Sequence, residues 1–106
     1  MPVIKVFCPE SVTAAQAEAM GADLEALCLN LLRAQPSTVQ IAFVPAVMAR
    51  GAAVLLEMHY RAQPYRDAPA LAGFMEGAER SLLKHLGQAP RIRCFSVDVV
   101  GLSARN

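Results

Sequence analysis

The sequence predicts an α+β fold: a β-α-β unit written twice, forming a four-stranded mixed sheet with two helices on one face. Three observations carry this. Short β-branched runs alternate with long stretches of helical periodicity in the order β-α-β, turn, β-α-β. The halves share detail, since LLRAQPSTVQIAF and LLKHLGQAPRIRCF both run from a helix end through a turn into a strand. Finally, right-handed crossovers make each unit a pair of parallel strands with its helix on one side, so two units side by side put both helices on the same face.

Each element has its own signal. PVIKVFC at 2–8 is short, β-branched and closed by Pro9, which marks a strand. In the following segment Thr13 and Gln16 have the spacing of a capping box, hydroxyl and amide each satisfying an orphan N–H. Ala17, Met20, Leu24, Leu27, Cys28 and Leu31 then recur at helical spacing as one buried stripe. Gly21 weakens this helix without ending it and is expected to mark close packing, and Gln35-Pro36-Ser37 stops it. TVQIAFVP at 38–45 is the second strand, and AVMARG at 46–51 a turn. AAVLLEMHYR at 52–61 is the third strand. The loop 62–69 ends with Asp67 as N-cap and Pro69 in the first turn of a second helix. Leu71, Phe74, Met75, Ala78, Leu82 and Leu86 form that helix's stripe, with Gly87 where a C-terminal glycine belongs. IRCFSVDVV at 92–100 is the fourth strand. The whole reads as a single domain over 1–106, with pseudo-repeats 2–45 and 52–100 and a tail at 101–106.

Composition narrows the function classes. Of 106 residues, 55% are hydrophobic and 18% charged, which excludes a disordered chain and is apolar for a small lone monomer. The strands are apolar on both faces, so the sheet face away from the helices is expected to be covered by other copies of the chain. The formal net charge is +1 with scattered basic residues, so no nucleic-acid partner is expected. No apolar run reaches the roughly 18 residues of a membrane span, and no signal peptide is visible. Cys8, Cys28 and Cys94 are odd in number and sit in apolar stretches, as reduced cysteines of a cytoplasmic protein do. His59 and His85 lie far apart and no pair has ligand spacing, so neither metal nor cofactor is expected.

MPVI at the start, TVQIAFVP at the second strand and the doubled β-α-β order together resemble the tautomerase superfamily, over residues 2–100. The doubled members include 5-carboxymethyl-2-hydroxymuconate isomerase and macrophage migration inhibitory factor. The resemblance implies a homotrimer whose sheets pack into a central barrel. It also implies a cofactor-independent tautomerase or isomerase acting on a small carboxylate substrate, an unsaturated 2-oxo acid. The catalytic group would be Pro2, a free secondary amine once Met1 is removed. An α-amino group ordinarily titrates at about 7.7–8.0, and apolar burial or nearby arginines lower it into the range useful for proton transfer.

The implied binding residues are Gln40, Arg61, Arg66 and Arg93. Gln40 stands one position into the second strand's apolar run, where the family's tautomerases carry a polar or basic residue. Arg93, with Arg91 on the same side, is read as its duplicate in the fourth strand. The loop after the first strand, CPESV, lacks the arginine often found there, whereas HYRAQPYRD in the second half holds Arg61 and Arg66 beside Tyr60 and Tyr65. This suggests a division of labour, with Pro2 from the first half and arginines from the second, including that of a neighbouring subunit.

The plain alternatives are a proline that merely starts a strand, strand residues facing water, and solvated loop arginines. A catalytically silent oligomer with the same fold, or a ferredoxin-like ligand-binding dimer, would follow from them. Parallel pairing of the first two strands separates the tautomerase arrangement from the ferredoxin-like one.

Overall fold

The computed structural model describes residues 1–106. The elements are β1 (Val3–Cys8), α1 (Ala14–Leu31), a 3-10 turn (Pro36–Thr38), β2 (Gln40–Pro45), β3 (Leu55–Arg61), α2 (Ala68–Leu86) and β4 (Arg91–Val97). The sheet order is β2-β1-β3-β4. β1 runs parallel to β2 and β3 parallel to β4, while the central β1–β3 pair is antiparallel. Parallel β1–β2 neighbours rule out the ferredoxin-like alternative.

The helix signals act as written. Thr13 accepts from the Gln16 amide, and the Gln16 side chain accepts from the Thr13 N–H, closing the capping box. Asp67 caps α2 by accepting from the Ala70 N–H. Gly87 ends that helix with φ +71, a left-handed conformation that costs glycine nothing.

Alternation along the strands divides the sheet into two faces. Ile4, Val6 and Cys8 of β1 and Leu56, Met58 and Tyr60 of β3 join Met20, Leu24 and Cys28 of α1 and Phe74, Ala78 and Leu82 of α2 in one core. Close helix approach occurs at Gly77 rather than at Gly21, where the sequence suggested it. A Cβ on Gly77 would lie 2.6 Å from Leu27 Cδ2, whereas one on Gly21 would meet nothing within 4 Å.

The second face carries Val3, Lys5 and Phe7 of β1 beside Leu55, Glu57 and His59 of β3. It is less uniformly apolar than the sequence suggests. The register sets Lys5, Glu57 and Arg93 in one row across the middle, between rows containing Phe7 and Leu55 on one side and Val3, His59 and Phe95 on the other. His59 stacks on Phe95 with ring centroids 5.0 Å apart. No helix is long and apolar enough to cross a membrane.

Candidate active site

The antiparallel β1–β3 register pairs Val3 with His59. Extending it brings the start of the chain beside the end of β3, so Met1 stands across from Arg61. The Pro2 ring is fully buried, and its carbonyl accepts from the Gln40 N–H at 3.1 Å, which locks the chain start to β2. The chain start is therefore tied to β2 and lies beside the end of β3.

The loop after β3 folds back under this end because of one buried side chain. Arg66 donates from Nε to the Leu32 carbonyl at 2.8 Å and from Nη1 to the Arg61 carbonyl at 2.9 Å. Leu32 closes α1, so Arg66 supplies a donor to a helix end that leaves carbonyls without intrahelical partners. The Tyr65 ring lies within cation–π distance of two guanidiniums, with Arg33 Cζ 5.1 Å and Arg66 Cζ 5.5 Å from its centroid. Arg33 follows the α1 cap with φ 52, a left-handed turn that redirects the chain toward the 3-10 segment.

These residues enclose a hollow of about 400 Å³ lined by Met1, Arg33, Arg61, Gln63, Tyr65 and Arg66 among others, and no carboxylate lines it. Three guanidiniums around one amine make a field that draws anions and disfavours a further cation. Partial burial, then Arg66 and Arg61, lower the Met1 amine below its ordinary value of 8.0. A neighbouring cavity of about 550 Å³ shares Met1, Thr38 and Arg61 with the hollow and adds Val3, Val39, Gln40 and Leu102. Another hollow of about 530 Å³, between α1 and β2, is walled by alanines, Ile41, Phe43 and the carboxylates of Glu18 and Glu25. Its charge opposes carboxylate binding.

Of the residues singled out from the sequence, Pro2, Arg61 and Arg66 come together at this end, with Gln40 in the adjoining cavity. Arg93 does not join them within one chain. By ordinary strand spacing it lies about 13 Å further along the sheet and about 10 Å across, and its Nη1 turns back to the Ile92 carbonyl. The strand register also changes its kinship with Gln40. Gln40 opens β2 opposite Val3, the first residue of β1, and Arg91 opens β4 opposite Leu55, the first residue of β3. Arg91 is thus the counterpart of Gln40, and Arg93 stands two residues further in.

Sequence reasoning missed Arg33. The stretch LLRAQP reads as a helix end, and nothing local says that the chain turns left-handed there and lays the guanidinium over a tyrosine from the other half. The thiols offer no competing nucleophile at this end. Burial pushes Cys8 and Cys94 up, and Cys28 to about 12, so all three stay protonated near neutrality.

No family model and no curated protein matches the chain by sequence. Solved structures match it over nearly its whole length. A fused 4-OT described as a symmetric trimer aligns with TM-score 0.83 at 16% identity, covering 98% of this chain and 92% of that one. The macrophage migration inhibitory factor of Toxoplasma gondii aligns at 0.77 and 15% identity, covering 95% and 94%. The inhibitory-factor-like protein of Entamoeba histolytica aligns at 0.79 and 8% identity, covering 98% and 95%. The fold of this chain is the one those proteins share.

Proposed function

We propose that a chain with the tautomerase fold and an arginine-lined hollow at its first residue is a proline-dependent keto–enol tautomerase of small unsaturated 2-oxo acids. The observation that carries the reading is the meeting of the chain's terminal nitrogen with Arg33, Arg61 and Arg66 in one cavity free of carboxylates. With Met1 in place the Pro2 nitrogen is a tertiary amide and has no basicity. With Met1 removed it becomes the amine at the hollow's mouth, exposed to the same depressing influences that act on Met1.

The chemistry needs one shuttling group. The proline nitrogen takes the enol hydroxyl proton as the C–O bond becomes a carbonyl. The C=C electron pair then accepts a proton from the same nitrogen at carbon, completing an isomerisation with no other reactant. Arg61, whose guanidinium lines the hollow, grips the substrate carboxylate and steadies the developing enolate. Arg66 contributes charge and holds the loop, since two of its donors are committed to backbone carbonyls. In this reading the uncovered sheet face packs against two further copies, and such a trimer brings Arg91 or Arg93 of a neighbour toward the site.

The test is ketonisation of phenylenolpyruvate by protein whose mass shows Met1 removed. A Pro2→Ala variant is expected to lose on the order of 10²-fold in kcat, the usual contribution of a positioned acid–base group. Equal rates in the two proteins would end the proposal.

A further inference from the structure

We infer that the substrate is an amphipathic acid, an anionic head joined to an apolar body, and that Leu102 of the C-terminal segment selects it. The inference rests on the proposed site and adds the kind of molecule that fills it. Two cavities meet at the chain start, sharing Met1, Thr38 and Arg61. The first is walled by guanidiniums and amides and suits a carboxylate. The second sets Val3, Val39 and Leu102 beside the neutral polar side chains of Ser37, Gln40 and Asn106 and holds Arg61 as its one charged side chain. Because Met1 lines both, its removal joins them into a single trough with the Pro2 nitrogen at the junction. A substrate spanning that junction presents its carboxylate to the arginines, its reacting carbons to the nitrogen and its remaining carbons to the apolar wall.

A second observation explains how Leu102 reaches the wall. After β4 the Gly101 N–H donates to Asp98 Oδ1 at 2.8 Å, so the aspartate closes a turn that reverses the chain. Val99 and Val100 project outward, 73% and 95% exposed, while Leu102 past the turn is half-buried against the cavity. A dicarboxylate would bring its second charge to a wall whose one cationic side chain, Arg61, already holds the first carboxylate, leaving it only neutral polar partners.

The experiment is a titration of backbone amide NMR shifts with 3-phenylpropionate and with adipate, using wild type with Met1 removed and the Leu102→Ala variant. Wild type is expected to bind 3-phenylpropionate at least tenfold more tightly than adipate, with shifts at Val3, Val39 and Arg61. Leu102→Ala is expected to lose about tenfold for 3-phenylpropionate and to leave adipate unchanged. Adipate binding as tightly as 3-phenylpropionate, an unchanged preference in the variant, or no binding of either acid overturns the inference. Binding does not require the proline to act as a base. Intact selectivity with no turnover would therefore remove only the catalytic proposal.

Discussion

Replacing Arg66 by methionine tests the link between the fold and the site. The substitution keeps an unbranched apolar stem of similar length and removes the guanidinium. Two hydrogen bonds from a charged donor disappear, at 2.8 Å to Leu32 and 2.9 Å to Arg61. Each such bond contributes about 1.5–3 kcal/mol. Relief of the burial cost of the cation offsets part of this, since Arg66 is only 9% exposed. The net loss is expected to be about 3 kcal/mol, or roughly 10–20 °C in Tm for a domain of this size. Urea unfolding followed by far-UV circular dichroism at fixed protein concentration reads it. Arg66→Lys supplies the control: an ammonium keeps the charge, yet lacks the planar fork that reaches both carbonyls, so it is expected to recover less than half the loss. An Arg66→Met protein within about 0.5 kcal/mol of wild type would refute the claim that this side chain ties the loop to α1. So would a lysine variant indistinguishable from wild type.

Two further outcomes follow from the packing. Gly21→Ala meets open space and is expected to stabilise α1 by about 0.5–1 kcal/mol, while Gly77→Val drives carbon into Leu27 and is expected to cost about 1–3 kcal/mol, both read by the same unfolding assay. Stability is also expected to decline in alkali because of Cys28. Its folded-state pKa of about 12 exceeds the ordinary 9.0, so from pH 9 upward the unfolded chain sheds a proton that the folded chain keeps. The stabilisation is complete below pH 9 and falls by up to about 1.4 kcal/mol per pH unit above it. A Cys28→Ala variant is expected to show a shallower alkaline slope than wild type, and equal slopes would contradict the assignment.

The legible parts of this chain are those where local chemistry and tertiary structure agree. Thr13 with Gln16, and Asp67 with Gly87, bound their helices because a cap is decided within a few residues. That each β-α-β unit runs its two strands parallel follows from the element order, while their adjacency, which separates this fold from the ferredoxin-like one, is decided by the pairing itself. What stayed hidden depends on register and on contacts between halves. Which glycine admits close helix approach is set by where Leu27 falls on the facing helix. The kinship of Gln40 with Arg91 rather than Arg93 is a matter of strand register, where spacing in sequence misleads by two residues and both choices keep the same face. Arg33 joins the site only because Tyr65, contributed by the other half, lies beneath it. The charged row across the second face is likewise a product of register, which sets Lys5, Glu57 and Arg93 side by side from three separate strands.

The central claim of the proposal is that Pro2, once Met1 is removed, carries a free and electrostatically depressed nitrogen. Its most direct measurement is the ¹⁵N chemical shift of Pro2 across pH in protein labelled with ¹⁵N-proline. The account predicts a titrating nitrogen with a midpoint below that of Pro2 in an unfolded peptide of the same N-terminal sequence. A shift that stays flat, as an amide's does, or a midpoint no lower than in that peptide, would contradict it.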